Sequence, residues 1–163
     1  MVALTLGIAF ALLAVVSNRR LMAEYGTRCL DIARVVAAAP ALRADVARYN
    51  GVTMPTADEL ARGPLQNIAT KVQQGTGALF VVITNDQGIR LSHPNVSELG
   101  KMVSTDPSAV LTGREEVVRQ TGTLGPSMRA KVPVLAPDAS PVIGQGGVGM
   151  STSSVYELLR SDL

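Results

Sequence analysis

The spacing of hydrophobic residues divides the chain into a helical first part and an extended second part. Apolar positions follow a helical period through residues 21–39, a segment without proline, and Pro40 ends the pattern. After Gly77, residues 78–84 form an apolar run rich in β-branched side chains. This run predicts a strand that is buried on both faces. The order of these segments indicates an α+β domain.

The first residues follow a different pattern, because Val2 to Val16 carry no charge and Arg19 and Arg20 come soon after them. A full membrane span needs about 20 residues. We therefore expect residues 1–17 to be the outer part of a membrane helix or its remnant, with residues 18–163 as a separate folded domain. A signal peptide is one alternative, although no positive residues precede the apolar run. A buried helix of a soluble protein is the other.

The remaining elements follow from turn and capping signals. Thr56 and Glu59 have capping-box spacing, and Asn85 to Gly88 form a turn that predicts a hairpin. We expect a long N-terminal helix over one face of an antiparallel sheet of roughly five strands, followed by a C-terminal helix that begins at Ser153 or Ser154. The predicted short helices are 41–49, 65–74 and 106–111, and the predicted strands are 78–84, 89–92, 115–121, 127–136 and 142–150.

The strand at 127–136 alternates most clearly. Met128, Ala130, Val132 and Val134 fall on one face, and Ser127, Arg129 and Lys131 fall on the other. Such a strand presents an apolar face to a core and a hydroxyl with two cations to something else. The polar face is either an ordinary solvated surface or an anion site.

Composition excludes several classes of function. The net charge is +2 and Trp is absent, so the chain lacks the basic and aromatic surface of a nucleic-acid-binding protein. One cysteine and one histidine cannot build a disulfide or a metal centre. Residues 144–149 match G-x-G-x-x-G, but the dinucleotide fingerprint must open a helix, whereas this segment reads as a strand. We predict no cofactor, no metal and no nucleic acid partner.

Enzymatic activity is not predicted for this chain either. The one carboxylate pair is Glu115 and Glu116, and neighbouring side chains on a strand point to opposite faces. No serine and carboxylate accompany His93 in a triad pattern.

An anion site gains support from a second cationic segment. Arg90 lies at the end of the predicted hairpin strand, and His93 lies where Pro94 breaks it. If the two hairpins lie side by side, Arg90, His93, Arg129 and Lys131 converge. Four such groups repel one another without an anion, so a multivalent carboxylate is their natural complement, with the hydroxyls of Thr123 and Ser127 as donors.

Three blocks of sequence resemble the extracytoplasmic sensor domain of citrate/C4-dicarboxylate sensor histidine kinases, the CitA/DcuS type. The first block runs from Phe80 to Lys101 and contains an R-x-x-H element. The second runs over 122–134 and contains S-x-R-x-K, and 142–149 resembles the closing strand. The likeness covers about residues 75–160.

This resemblance implies a PAS-like sensor domain of the PDC type, held at the cell membrane on its outer side, that binds a small carboxylate such as citrate or malate without a cofactor. Its implied partners are the membrane, a second copy in a homodimer, and a cytoplasmic response regulator for the full-length histidine kinase. The implied ligand-binding residues are Arg90, His93, Gly122, Thr123, Leu124, Ser127, Arg129 and Lys131.

Three positions bear on which acid is bound. By the same resemblance, Lys131 favours the citrate branch of the family, whereas Val82 stands where citrate sensors can offer a hydroxyl and Gly147 stands near a position that can be Ser. We therefore expect carboxylate recognition without assigning one acid. The alternative function is a chemoreceptor-type or structural extracytoplasmic domain with another ligand or none.

Overall fold

A helix of 37 residues, α1 (Val2–Ala38), dominates the computed structural model, which describes residues 2–153. Its first half is exposed, with Leu6, Phe10 and Leu12 between 61% and 74% accessible. The segment Thr5–Ala38 is long and apolar enough to cross a membrane. Farther along, Cys29 and Ala33 are fully buried against the rest of the domain. The prediction of one long helix that continues from an apolar segment is confirmed.

Short helices follow α1 where the capping signals predict them. Ala39 separates α1 from α2 (Pro40–Ala47), whose first residue is Pro40. The Thr56 hydroxyl accepts from the Glu59 N–H and the Glu59 carboxylate accepts from the Thr56 N–H, so the predicted capping box begins the next helix. Gly77, with φ of 71°, caps α4 in the left-handed conformation. These later helices are α3 (Ala57–Ala61), α4 (Pro64–Thr76) and α5 (Ser108–Leu111), with a 3₁₀ turn at Val96–Glu98.

The sheet is antiparallel and has four strands in the order β1-β4-β3-β2 among the described residues. The strand that closes the sequence pattern, β4, therefore lies between β1 and β3 in the centre of the sheet. The strands are β1 (Phe80–Asn85), β2 (Glu116–Gly122), β3 (Gly125–Leu135) and β4 (Val142–Ser151).

The prediction of a fifth strand over 89–92 is wrong. That segment makes only isolated bridges, between Thr84 and Arg90 and between Ile89 and Met102. The reason is Ser92, whose Oγ accepts from the Ile83 N–H at 2.9 Å in place of a backbone carbonyl. A side chain thus ends the ladder after one bridge. The predicted C-terminal helix, from 153 or 154 to 163, lies outside the described residues.

The two faces of the sheet have different coverings. On one face, α1 packs on β3 and β4, and the Cys29 thiol donates to the Met128 carbonyl at 3.4 Å. Ala130, Val132 and Val134 complete this core. Ser127, Arg129 and Lys131 point to the other face, as the alternation predicts, but they are also buried, because the loop at 103–105 and the 123–124 turn enclose that face.

Candidate functional site

A cleft lies on the face of the sheet opposite α1. Strands β1, β3 and β4 form its floor, and three connecting segments form its walls, around His93, around Ser104 and at the β2–β3 turn. The lining residues are Phe80, Val82, Arg90, His93, Val103, Ser104, Thr105, Thr123, Leu124, Arg129, Lys131, Gln145 and Gly147.

Strand register places two cations of β3 beside glycines of β4. Arg129 lies opposite Gly149, and Lys131 lies opposite Gly147. A Cβ at Gly149 would overlap the Phe80 ring, so this ring occupies the space that a side chain would take. A Cβ at Gly147 would meet nothing closer than the Val82 carbonyl oxygen, at 3.6 Å. Gly147 therefore leaves open space on the floor of the cleft, next to Lys131.

Arg129 differs from the other basic residues of the cleft in its surroundings. It is only 8% exposed, and no carboxylate contacts its guanidinium within residues 2–153. Its Nη2 donates to Ser127 Oγ at 2.8 Å, and its Cζ lies 5.1 Å from the centroid of the Phe80 ring. Burial lowers the pKa of this guanidinium below its ordinary value, because desolvation disfavours the charged form. Arginine nevertheless stays protonated, so the cleft holds a cation that no carboxylate of the described segment matches.

The other two basic side chains, Arg90 and Lys131, each have a carboxylate partner. Arg90 Nη1 donates to Glu98 Oε2 at 3.1 Å and to the Met102 carbonyl at 2.8 Å. Lys131 Nζ lies 3.4 Å from Glu116 Oε2. Each of these two cations therefore has a protein carboxylate beside it, which the sequence patterns did not predict. Glu98 comes from a turn, which a strand pattern cannot place, and Glu116 is the register partner of Lys131 on β2.

Glu115 and Glu116 point to opposite faces, as predicted. Glu115 binds Arg34 of α1 with an O–N distance of 2.6 Å, while Glu116 faces the cleft side with Lys131. Within the described residues, no three His, Cys, Asp or Glu side chains are grouped so that they could hold a metal ion.

His93 is fixed at the wall of the cleft by its backbone and its ring. The Gln66 side chain binds both backbone groups of His93, accepting from the N–H at 2.9 Å and donating to the carbonyl at 3.1 Å. Both backbone groups of Asn95 lie beside the ring: its N–H is 3.0 Å from Nδ1, and its carbonyl oxygen is 3.1 Å from the same nitrogen. Burial, with a smaller contribution from the Arg90 charge, lowers the pKa of His93 below 6.5. The ring is therefore neutral at pH 7.

The eight residues predicted for ligand binding all lie at this cleft or against it. Arg90, His93, Thr123, Leu124, Arg129 and Lys131 line it. Gly122 and Ser127 instead contact the Arg129 side chain: Ser127 accepts two of its hydrogen bonds, and a Cβ at Gly122 would lie 2.8 Å from Nη2. These two residues set the position of the guanidinium.

Sequence reasoning did not assign Phe80, Val103, Ser104, Thr105 and Gln145 to the site. Phe80 and Gln145 lie on the same face of the sheet as Arg129. The pairing of neighbouring strands shows this, whereas the alternation within one strand does not. The alternation of β4 places Gln145 and Gly147 on one face, and this was the available signal for Gln145. No local pattern places the loop at 103–105.

Comparisons with known proteins agree with this architecture. The profile of the single cache domain 3 family matches residues 17–163. Sensor protein CitS of Halalkalibacterium halodurans is 34% identical over 168 residues, which cover 99% of this chain and 29% of CitS. The chain thus spans less than a third of that relative.

Solved structures share the fold. The crystal structure of the Escherichia coli DcuS sensor domain superposes with a TM-score of 0.72 at 24% identity, over 85% of this chain and 97% of that chain. The structure of the sensory domain of the membraneous two-component fumarate sensor DcuS of Escherichia coli gives a TM-score of 0.52 at 25% identity, over 82% and 90% of the two chains. The predicted PAS-like α+β class and the predicted resemblance to CitA/DcuS-type sensors are confirmed, and the chain belongs to the single cache domain 3 family.

Proposed function

We propose that this chain is the extracytoplasmic sensor domain of a two-component histidine kinase and that it binds a small di- or tricarboxylate in the cleft. The observation that carries the proposal is the buried guanidinium of Arg129, which has no carboxylate partner among the described residues. A buried charge without a partner is costly unless it is matched by an opposite charge. A ligand carboxylate would supply that charge.

The surrounding donors favour an acid with more than one carboxylate. Arg90 and Lys131 stand apart from Arg129 along the cleft, and each shares its charge with one protein carboxylate. Arginine offers carboxylates a two-pronged fork, and lysine offers a point charge. Each charge-assisted hydrogen bond contributes about 1.5–3 kcal/mol net. Two or three of them from different positions in the cleft would select a ligand whose carboxylates are spaced to match.

The names of similar proteins support the same class of ligand. DcuS is described as a fumarate sensor, and fumarate is a dicarboxylate. In the resemblance to citrate sensors, Lys131 favours a tricarboxylate. Because Gly147 has no side chain, the floor of the cleft also leaves room for a branched acid. The proposal therefore covers both classes and leaves the choice to measurement.

Signalling would pass through α1, which belongs to both the membrane part and the sensor part. We propose that residues 1–17 lie in the membrane and residues 18–163 lie outside the cytoplasm. The second half of α1 packs on β3 and β4, the strands that carry Arg129 and Gly147. A ligand shifts such a helix only by its different affinity for the two positions. A homodimer and a cytoplasmic response regulator belong to the same proposal.

A thermal-shift screen of the full chain in detergent tests the proposal. The panel contains citrate, isocitrate, L-malate, succinate, fumarate and tartrate, with acetate and matched sodium chloride as controls. At 100 times the Kd, a ligand stabilises the fold by about 2.7 kcal/mol, which corresponds to about 5–10 °C for a domain of this size. A shift with at least one polycarboxylate and none with the controls supports the proposal. No shift with any acid would favour a structural domain or another ligand.

A further inference from the structure

Gln145 contributes a buried acceptor to the cleft that nothing in residues 2–153 satisfies. The residue is 3% exposed and lies on the cleft face of β4. Its Oε1 has no hydrogen-bond partner among the residues the structure describes. Buried side-chain oxygens are almost always hydrogen-bonded in folded proteins, so this one requires an explanation.

The strand neighbours of Gln145 do not supply a donor. By register, Gln145 lies between Thr84 of β1 and Pro133 of β3. The Thr84 hydroxyl donates to the Asn85 carbonyl at 3.0 Å, and proline has no N–H. The partner of Oε1 is therefore expected to come from the cleft.

Carboxylates cannot be that partner, because ionised carboxylates only accept hydrogen bonds. They match the guanidinium of Arg129 and the ammonium of Lys131, which only donate. An acceptor among these cations calls for a ligand group that donates, and an ammonium group is disfavoured because it would approach two cations. A neutral hydroxyl meets both conditions.

We propose that Gln145 is a specificity-determining residue whose Oε1 accepts a hydrogen bond from a hydroxyl group of the carboxylate ligand. The inference rests on the proposed function, because it assumes that a polycarboxylate occupies the cleft. It adds that the site prefers hydroxy acids to the same acids without the hydroxyl.

Calorimetric titration of the full chain in detergent with two matched pairs of acids tests the inference. The pairs are L-malate with succinate, and citrate with tricarballylate, and each pair differs by one hydroxyl. One hydrogen bond of this kind corresponds to a preference of about fivefold to tenfold. We expect the wild type to prefer the hydroxy acid in at least one pair. In Gln145→Leu, the hydroxy acid should lose that advantage while its partner changes less than about twofold.

Two further variants keep the test decisive. Gln145→Met repeats the substitution with another apolar side chain of similar length, in case the leucine variant fails to fold. Gln120→Leu removes the same group from β2, where Oε1 is also buried with no partner in the described part of the chain but lies outside the cleft lining. The Gln120 variant should keep the wild-type preference.

The failures of the two proposals have different signatures. A wild type that binds acids without preferring the hydroxy member, or a preference that survives in both Gln145 variants, would overturn the role of Gln145 and leave the proposed function standing. Equal loss of both members of a pair would also overturn it, since the amide would then donate to a carboxylate. A wild type that binds none of the four acids would overturn both proposals.

Discussion

The guanidinium of Arg129 lies over the ring of Phe80, with Cζ 5.1 Å from the ring centroid. The ring occupies the space that a side chain at Gly149 would take. Arg129 is thus held by an aromatic face and by the Ser127 hydroxyl, at 2.8 Å, while the donors left over have no anion among the described residues. This arrangement orients a cation in advance of binding, which reduces the ordering cost when a ligand arrives.

We expect Arg129→Met to leave the ligand-free domain at least as stable as the wild type. The variant removes a buried charge that desolvation penalises, and replacing a buried ion by an apolar group of similar volume is often neutral or stabilising. The loss of the cation–π contact limits the gain in the free energy of unfolding, which we expect to be up to about 2 kcal/mol. Urea unfolding measures it.

Arg114→Met is the matched control for that measurement, because Arg114 is exposed and surface substitutions usually change stability by less than about 0.5 kcal/mol. A loss of more than about 1 kcal/mol in Arg129→Met alone would mean that the guanidinium stabilises the fold, and the binding role argued from its cost would lose its basis.

Gly122→Ala should weaken carboxylate binding without unfolding the domain. A Cβ at Gly122 would lie 2.8 Å from Nη2 and 3.2 Å from Nη1 of Arg129, so the flexible end of that side chain must move. We expect an affinity loss of about tenfold, which corresponds to one weakened charge-assisted bond. Calorimetry gives the affinity and a melting curve gives the stability.

Gly75→Ala serves as the control for the added methyl, because no atom lies within 4 Å of a Cβ there. It should bind the acid as the wild type does. Unchanged affinity in Gly122→Ala would show that the observed position of the guanidinium is not the one that binding needs.

Alanine should have different effects at two glycines of β4: it should lower stability at Gly149 and acid affinity at Gly147. Gly149→Ala forces a methyl into the Phe80 ring, and overpacking of this kind costs about 1–3 kcal/mol. Gly147→Ala meets its nearest atom at 3.6 Å, so it should fold normally while its methyl narrows the cleft and lowers acid affinity. Thermal unfolding and calorimetry on both variants separate the effects. Equal stability of the two would contradict the packing described here.

The stability of the ligand-free domain should depend on pH through His93. Burial lowers its folded pKa below the unfolded value of about 6.5. Its contribution is therefore fully present above pH 6.5 and is lost as the pH falls from 6.5 through the folded pKa, because the unfolded chain then binds more protons. His93 is the one histidine of the chain, so no other imidazole contributes to this window.

Urea unfolding between pH 7 and the acid end of this window measures how steeply the free energy of unfolding falls with pH. His93→Gln should make this dependence weaker. Glu98 also titrates with a lowered pKa, chiefly because Lys101 donates a hydrogen bond to it, but its contribution is lost only below its ordinary value of 4.5, so a fall in stability that begins at pH 6.5 is not due to Glu98. A wild type whose stability does not fall in the histidine window would contradict the burial of the neutral ring.

The sequence predicted those parts of the site that depend on strand alternation and turn chemistry. The alternation of Ser127, Arg129 and Lys131 determined which side chains share a face, and the R-x-x-H element placed Arg90 and His93 on the segment after the turn that follows β1. Both are local patterns. The fifth strand was predicted wrongly because the Ile83 N–H donates to the Ser92 side chain, where a continuing ladder would use a backbone carbonyl.

Long-range pairing accounts for what the sequence could not give. Glu98 reaches Arg90 from a 3₁₀ turn, and Glu116 meets Lys131 only in the register that β2 and β3 adopt. The order β1-β4-β3-β2 likewise places Gln145 among the cations. None of these neighbours is set by spacing along the chain.

The most direct test of the account is a calorimetric titration of the wild type, Arg129→Gln and Arg114→Gln with the acid that gives the largest thermal shift. We predict one binding event in the wild type, a loss of more than about 2 kcal/mol, or roughly thirtyfold, in Arg129→Gln, and wild-type affinity in Arg114→Gln. Equal affinity in all three proteins would contradict the assignment of the cleft as the carboxylate site.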